Sequence, residues 1–581
     1  MTGKQSALET AVEESGKALA KAIKEKLFFE FAPKVEIAKE KGLGDLAFAC
    51  FPLAAKAKKN PNEIAELLAQ ELNAKPAKHF GKAKAVNGFV NFSFNDDFYA
   101  QVLEESTGEK YGENGEGKGK KVIIEFSQPN VGKPFHVGHI RSTILGDAVS
   151  NLYQAQGWKV ERINYIGDSG SQVAKLILAT EIYKDLPAIE NEKHMLEYYV
   201  RINKEIEENP SLKEKARTVL EKIEEGDEGI LERIQFIRKK SYEAFQRNYD
   251  LLGIKFDLVI GESEFIKPSK KIVEEALKKG IAFVDKGGET VVKLEQYGLP
   301  NFIVLRSNGT TLYSTRDLAL ADFKKKKFGF DKSVILTASE QNTHFKQFIK
   351  TLELLGRDYV SEYKHVGFGF ITLAEGKLST REGRIVFLED VLNQAVDYAR
   401  QEIESAGSTE SIEEKRRKMS EKEIAKAAGI VGIGSAKFAV LRITPEKNIL
   451  FDLKKIVSFQ GDTGAYVQYT CVRAKSILEK AKGAKPEIKG EAGFNNEEKN
   501  VLRLLAEYPL VLKSSRKSMQ PHQLCEFTLK LSAAFNEFYH AHSVFKAEGG
   551  EKEKRLALVK ATAGVLESAL SILGVQVPEK M

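Results

Sequence analysis

The sequence predicts an α/β protein: a Rossmann-type parallel sheet with a helical insertion, preceded by an α+β module and followed by an all-α bundle. Three observations carry this prediction. Short continuous apolar runs alternate with amphipathic helical patterns between about residues 122 and 355. A strand-like alternation stands at Phe89–Phe94, well before that region. From about Phe451 onward every pattern is helical.

In chain order, Asn62–Leu72 has helical periodicity and Phe89-Val90-Asn91-Phe92-Ser93-Phe94 alternates as a half-buried strand does. Thr107–Lys121, rich in Gly, Glu and Lys, reads as a linker. Val122-Ile123-Ile124-Glu125-Phe126 is an apolar run of the kind a strand buried on both faces requires. Val137, Ile140, Ile144, Leu145, Ala148 and Leu152 then repeat at helical spacing, Val160–Ile166 is a second strand, and Gln172–Tyr183 a second helix. The charged stretch from about 185 to 250 has no strand signal and reads as a helical insertion. Phe302–Arg306, Ser307-Asn308-Gly309 and Thr310–Ser314 signal a hairpin, Ser333–Thr337 a strand and His344–Leu355 a helix. The boundaries expected are 1–106, a linker at 107–121, the sheet domain at 122–390, a helical connection at 391–450 and the bundle at 451–581.

At 581 residues the chain can bury ample core without cross-links, and 29% charged with 42% hydrophobic residues is ordinary for a globular protein. Cys50, Cys471 and Cys525 stand far apart with no Cys-x-x-Cys pair, which argues against zinc and suits a reducing compartment. Met1–Lys26 mixes acids and bases unlike a secretory leader, and no run approaches the ~20 apolar residues of a membrane span. A cytoplasmic protein without a membrane partner is expected. The net charge of +7 is a mild bias toward polyanions. Lys118–Lys121, Lys324–Lys327 and Lys415–Lys418 sharpen it, although solvated surface charge is the commoner explanation of each such run alone.

The sharpest chemical signal is Pro134-Phe135-His136-Val137-Gly138-His139, between the first strand and its helix. Chance gives His-x-Gly-His in roughly one such chain in a hundred. A helix N-terminus offers unpaired N–H groups and a positive dipole end, which favour phosphate. Glycine lets a nucleotide approach the backbone, and two histidines can stabilise charge building on phosphates. No candidate metal ligands emerge elsewhere.

This segment resembles the histidine signature of class I aminoacyl-tRNA synthetases, and the longer run Glu125–Thr143 is similar to the arginyl branch. Gly376-Lys377-Leu378-Ser379-Thr380-Arg381-Glu382-Gly383 resembles that branch's second signature loop, with Thr380 where a second lysine is usual. Lys133, three residues before His136, matches the upstream lysine that compensates in many arginyl enzymes. The resemblance implies ATP-dependent activation of arginine to an adenylate and transfer to the tRNA 3′ end, with Mg²⁺ accompanying ATP. It implies His136, His139, Lys133 and Lys377 as catalytic residues, and Pro134, Phe135, Gly138, Leu378 and Ser379 at ATP. Glu125, Tyr313 and Asp317 would take the guanidinium, a planar cation that demands carboxylates and aromatic neighbours. Asn130 and Gln341 would complete the amino-acid pocket.

Gly167-Asp168-Ser169-Gly170-Ser171-Gln172 resembles a family turn but lacks its common tryptophan at Ser169. Gly464-Ala465-Tyr466-Val467-Gln468-Tyr469, Ala534–Tyr539 and Val577–Met581 are similar to the family's anticodon-binding bundle, whose aromatics either stack on bases or pack in the core. Gly44-Asp45-Leu46-Ala47 and Gly88–Phe92 resemble its amino-terminal, tRNA-contacting module. Partners implied are tRNA(Arg), L-arginine and ATP; a monomer is expected, with adenylate formation dependent on bound tRNA. Two rivals are a non-catalytic paralogue and a class I enzyme for cysteine or glutamate. The first is disfavoured by both signatures being populated, the second by missing zinc-type cysteines and by the acidic Asp317 and Glu125.

Overall fold

The structure is a computed structural model that describes residues 5–38, 43–373, 386–405, 419–481 and 493–581. The chain divides into two compact units, one of 1–114, 467–514 and 526–569 and one of 115–466, 515–525 and 570–581.

In the first unit, strands β1 (Glu36–Ile37), β2 (Leu46–Ala49), β3 (Phe80–Val86) and β4 (Phe89–Phe94) form an antiparallel sheet ordered β1-β2-β4-β3. Asn87 (φ 49°) and Gly88 (φ 78°) make the tight turn between β3 and β4, the two left-handed residues a two-residue hairpin needs. The helix Ala7–Leu27 starts on a capping box of Ser6 and Glu9. The carboxy-terminal helices Asn496–Ser518, His522–Ala541 and Gly550–Ile572 belong mostly to this same unit. Asp45, from the expected amino-terminal motif, pairs with Arg503 while its other oxygen accepts from Phe94 N at 2.7 Å. Phe535 and Phe538 are fully buried, so they serve the core and do not offer a stacking face.

The second unit holds strands β5 (Lys121–Glu125), β6 (Lys159–Ile166), β7 (Leu258–Gly261), β8 (Ala282–Val284), β9 (Thr290–Val292), β10 (Phe302–Leu305), β11 (Lys332–Ala338), β12 (Tyr363–Phe368), β13 (Ile371–Leu373) and β14 (Ile449–Phe451). Five of them make an all-parallel sheet ordered β12-β11-β5-β6-β7, the doubly wound order expected. β5 is central, and Val122, Ile123 and Ile124 are fully buried because helices cover both faces. Helices Glu192–Glu208, Pro210–Glu225 and Glu228–Leu252 form the insertion, each started by an Asn or Asp N-cap.

The expected hairpin is corrected. β10 pairs with β9, and Thr310–Ser314 contributes only a bridge between Leu305 and Thr311 before the helix Tyr313–Phe328 begins. The hydroxyls of Ser314 and Thr315 donate to the carbonyls of Ile303 and Val304, taking acceptors that a partner strand would have used. Two basic runs also read differently in space. Lys324 is 1% exposed, Lys325 pairs with Glu362 at 2.8 Å, Lys121 Nζ donates to Phe328 O, and Lys120 lies over the Trp158 ring. Residues 415–418 lie outside the described residues. The expectation of no span-length apolar stretch is corrected too, since the helix Glu421–Leu441 is long and apolar enough to cross a membrane. It is largely buried within the protein, where Ala427, Ala428 and Val431 join Ala399 and Ile403 in one core cluster.

The helix Val137–Gln154 approaches β5 closely because Gly146 has no side chain; a Cβ there would overlap Phe126 at its Cβ and ring. Phe126 is fully buried against Phe256, with centroids 4.7 Å apart, and has no room to retreat. Gly146→Ala gains about 1 kcal/mol of helix propensity but is expected to lose about 1–3 kcal/mol to overpacking. A lowered denaturation midpoint, followed by fluorescence of the single tryptophan Trp158, checks this.

Candidate active site

In a doubly wound sheet, ligands bind outside the carboxyl ends of the strands where the winding reverses, here between β5 and β11. A cavity of about 430 Å³ opens at that place. Its lining draws on every neighbouring strand end: Glu125 closing β5, Tyr165 and Gly167 at the end of β6, Glu262 after β7, and Thr337 on β11. Asn130, Tyr313, Asp317 and Gln341 also line it, so all five residues expected to bind the amino acid share one cavity.

Their partners give each a distinct character. Glu125 is 3% exposed; its Oε2 accepts from Lys324 Nζ at 2.7 Å and its Oε1 from Gln128 Nε2 at 2.8 Å. A buried carboxylate without such partners would be costly, and Lys324 supplies the missing charge. Asn130 forms a parallel bridge with Gly167, where a Cβ would overlap the Asn130 amide, so glycine is needed to admit it. Asp317 Oδ2 lies 2.8 Å from His344 Nε2, and the Tyr313 ring lies 4.9 Å from the His344 ring. Tyr313 is the first residue of its helix and Asp317 the fifth, one turn further on. Gln341 precedes the helix Asn342–Leu354 directly.

The structure adds residues that sequence reasoning missed. Glu262 faces the cavity with its carboxyl raised to about 7, chiefly by burial; Arg316 opposes the shift, and Asp317 and Asp168 add to it. Arg316 is held by Glu224 and Glu262, each at 3.3 Å. The far wall therefore gathers Asp317 and Glu262 with Asp168 close by, Arg316 being shared between Glu224 and Glu262, and a further bound cation would favour the ionised form of Glu262. The turn Gly167–Gln172 lines the cavity through Ser169, Gly170, Ser171 and Gln172. Its Asp168 is fully buried and accepts from Ser263 N and Oγ at 2.8 and 2.9 Å.

The histidine segment stands at the start of the helix Val137–Gln154. His136 is the N-cap: its Nδ1 accepts from Gly138 N at 3.0 Å, and His139 Nδ1 accepts from His136 N at 3.2 Å. Accepting at Nδ1 leaves each ring's proton on Nε2. Burial, reinforced by the Lys133 charge, lowers His136 to about 4. Burial first and His136 next push His139 well below its usual range. At neutral pH the pair therefore offers two neutral Nε2–H donors, not two imidazolium charges. The His136 ring lies over Gly138, where a Cβ would meet it at 2.7 Å. Phe135 is buried beneath His139 with centroids 4.8 Å apart, and Pro134 is also buried, so both act from below. Lys133 lies over the Tyr199 ring at 5.6 Å.

Lys377, Leu378 and Ser379 lie outside the described residues. The chain re-emerges at residue 386 paired with the histidine segment: Val137 N donates to Val386 O, Leu388 N donates to Phe135 O, and His136 bridges Phe387.

Comparison with known proteins adds three family matches. Residues 101–453 match "tRNA synthetases class I (R), catalytic domain", residues 467–581 "DALR anticodon binding domain", and residues 12–94 "Arginyl tRNA synthetase N terminal domain". The chain is 38% identical over 553 residues to an arginine–tRNA ligase of Halothermothrix orenii, covering 94% of this chain and 95% of that one. It is 37% identical over 563 residues to one from Clostridioides difficile, covering 95% and 96%. The arginyl-tRNA synthetase structure from Thermus thermophilus superposes with a TM-score of 0.79 at 26% identity, covering 98% of this chain and 100% of that one.

Lys324→Met would strand the Glu125 carboxylate in the core and is expected to cost about 3–5 kcal/mol. Urea unfolding followed at Trp158 measures the loss, and a Glu125→Gln partner substitution should recover part of it.

Proposed function

The chain belongs to the arginyl-tRNA synthetase family and is an arginine–tRNA ligase, and from that premise we propose how its residues divide the reaction. The enzyme activates arginine with ATP to the adenylate and transfers the arginyl group to tRNA, with an anticodon-binding domain at its carboxy-terminal end.

In the proposed division, Asp317 and Tyr313 receive the guanidinium, with Glu262 joining them from the end of β7. The observation that carries this reading is the acidic far wall, where Asp317 and Glu262 face one cavity and burial raises the Glu262 carboxyl despite its contact with Arg316. Glu125, committed to Lys324 and Gln128, shapes the wall and offers its remaining lone pairs. Asn130 takes the α-amino group and Gln341 makes a further contact to the amino acid. Polar groups placed this way reject citrulline or lysine because the wrong side chain leaves them unpaired, so no editing site is required.

An α-carboxylate oxygen of arginine attacks the α-phosphorus of ATP, a P–O bond forms, and pyrophosphate departs. A ribose hydroxyl of the tRNA then attacks the arginyl carbonyl and AMP leaves. His136 and His139 donate from Nε2 to phosphate oxygens as charge spreads over them, and Lys133 and Lys377 contribute positive charge. Pro134, Phe135 and Gly138 shape the floor under the nucleotide, and Leu378 and Ser379 are assigned to ATP by the resemblance. Mg²⁺ belongs to this reading as a companion of the ATP phosphates; among the described residues no three His, Cys, Asp or Glu side chains converge on a metal position. The amino-terminal module, residues 1–106, is assigned to tRNA contact. The chain is read as a cytoplasmic monomer; Cys50, Cys471 and Cys525 are all buried.

Asp317→Asn keeps the shape of the pocket and removes its charge. It is expected to weaken arginine about 10–100-fold, the worth of a charge-assisted hydrogen bond, with ATP affinity unchanged. Steady-state ATP–pyrophosphate exchange in the presence of tRNA measures both. Equal losses for arginine and ATP would make Asp317 a structural residue.

A further inference from the structure

Two consecutive non-glycine residues, Ser127 (φ 75°) and Gln128 (φ 51°), hold left-handed backbone immediately after β5. Such a pair persists only where its surroundings over-determine it. Here a buried polar network does so. Ser127 N donates to Ser142 Oγ at 2.9 Å, and Gln128 N donates to Asn164 Oδ1 at 3.1 Å. Both halves of that network converge on one hydroxyl: Tyr249 Oη lies 2.8 Å from Ser127 Oγ and accepts from Asn164 Nδ2 at 2.9 Å. Tyr249 is fully buried, and its ring meets Phe135 edge-on at 5.4 Å. It comes from the insertion helix Glu228–Leu252, which also provides Ser241, whose Oγ accepts from Gly132 N at 2.9 Å.

We infer that Tyr249 is a positioning residue for arginine: by tying Ser127 to Asn164 it holds the turn that sets Glu125, Gln128 and Asn130 against the cavity. Tyr249 does not itself line that cavity. The hydroxyl spans the two parallel strands β5 and β6 at the ends that carry pocket residues, so losing it lets the strained turn relax toward ordinary backbone. Gln128 then leaves Glu125, and Asn130, two residues on, moves with it. The helical insertion thereby becomes part of the amino-acid site, although none of its three helices touches the substrate in this account.

The inference rests on assigning the cavity to arginine, and its test separates the two. Arginine and ATP are varied in tRNA-containing exchange assays of the wild type, Tyr249→Phe, Ser127→Ala, their double variant and Asp317→Asn. Tyr249→Phe and Ser127→Ala should each raise the arginine KM about tenfold, the scale of one lost buried hydrogen bond, and leave the ATP KM unchanged. The double variant should fall well short of the product of the singles, because both remove the Ser127–Tyr249 link, although Ser127 Oγ also accepts from Thr143 Oγ1 and Tyr249 Oη from Asn164 Nδ2. An unchanged arginine KM in Tyr249→Phe beside a raised one in Asp317→Asn overturns the inference and leaves the pocket assignment standing. Equal rises for arginine and ATP, or multiplying effects in the double variant, also overturn it. An unchanged arginine KM in Asp317→Asn brings down both. If Tyr249→Phe does not fold, Ser127→Ala decides by the same criteria.

Discussion

Glu125 ends a strand that is buried on both faces, and the site is organised by the need to neutralise it. Lys324 does so from the helix Tyr313–Phe328, reaching down to the strand with a 2.7 Å contact and 1% exposure. That contact fixes the rotation of the helix. Residues 313, 317, 320 and 324 are spaced by four, three and four, which puts them along one helical face. Once Lys324 is anchored at the sheet, Tyr313 and Asp317 must present themselves at the mouth of the same cavity. The ion pair is worth more for this registration than for net stability, since a buried pair repays its desolvation only with good geometry.

The two halves of the site solve opposite electrostatic problems with the same means. On the proposed amino-acid side, burial and neighbouring acids raise the Glu262 carboxyl to about 7 against the pull of Arg316, so a further cation there would favour its ionised form. On the nucleotide side, burial strips the charge from His136 and His139, and backbone N–H groups occupy both Nδ1 atoms. In the proposed mechanism the histidines work as oriented donors that cost no reorganisation when phosphate charge develops. The segment joining the halves, from Ser127 to His136, is braced by insertion helices through Tyr249, Ser241 and Tyr199.

Much of this was written plainly in the chain. The continuous apolar run of β5 and the His-x-Gly-His after it marked the sheet, its centre and the turn that opens the following helix without any knowledge of packing. What stayed hidden depended on partners far away in sequence. Lys324 opens a run of four lysines that looks like solvated charge, and only its distance of 199 positions from Glu125, closed by the fold, shows otherwise. Glu262 follows Leu258-Val259-Ile260-Gly261, a strand too short to stand out, yet a carboxylate at such a strand end is the place to look. The Thr310–Ser314 stretch alternates like a strand, but its hydroxyls serve β10 as caps and a helix begins instead. Asn87-Gly88 was a hairpin signal in plain view, obscured because β3 alternates small and charged residues and lacks a strong apolar face.

In the proposed reading this cavity recognises a guanidinium through Asp317 and Glu262. The most direct test of that reading is amino-acid-dependent ATP–pyrophosphate exchange with tRNA present, comparing arginine, lysine and citrulline. Exchange is expected with arginine, and a kcat/KM lower by about 10⁴-fold or more for lysine and citrulline, because buried polar groups then lose their partners. Comparable exchange with citrulline, which keeps the shape of arginine and lacks its charge, would contradict that reading.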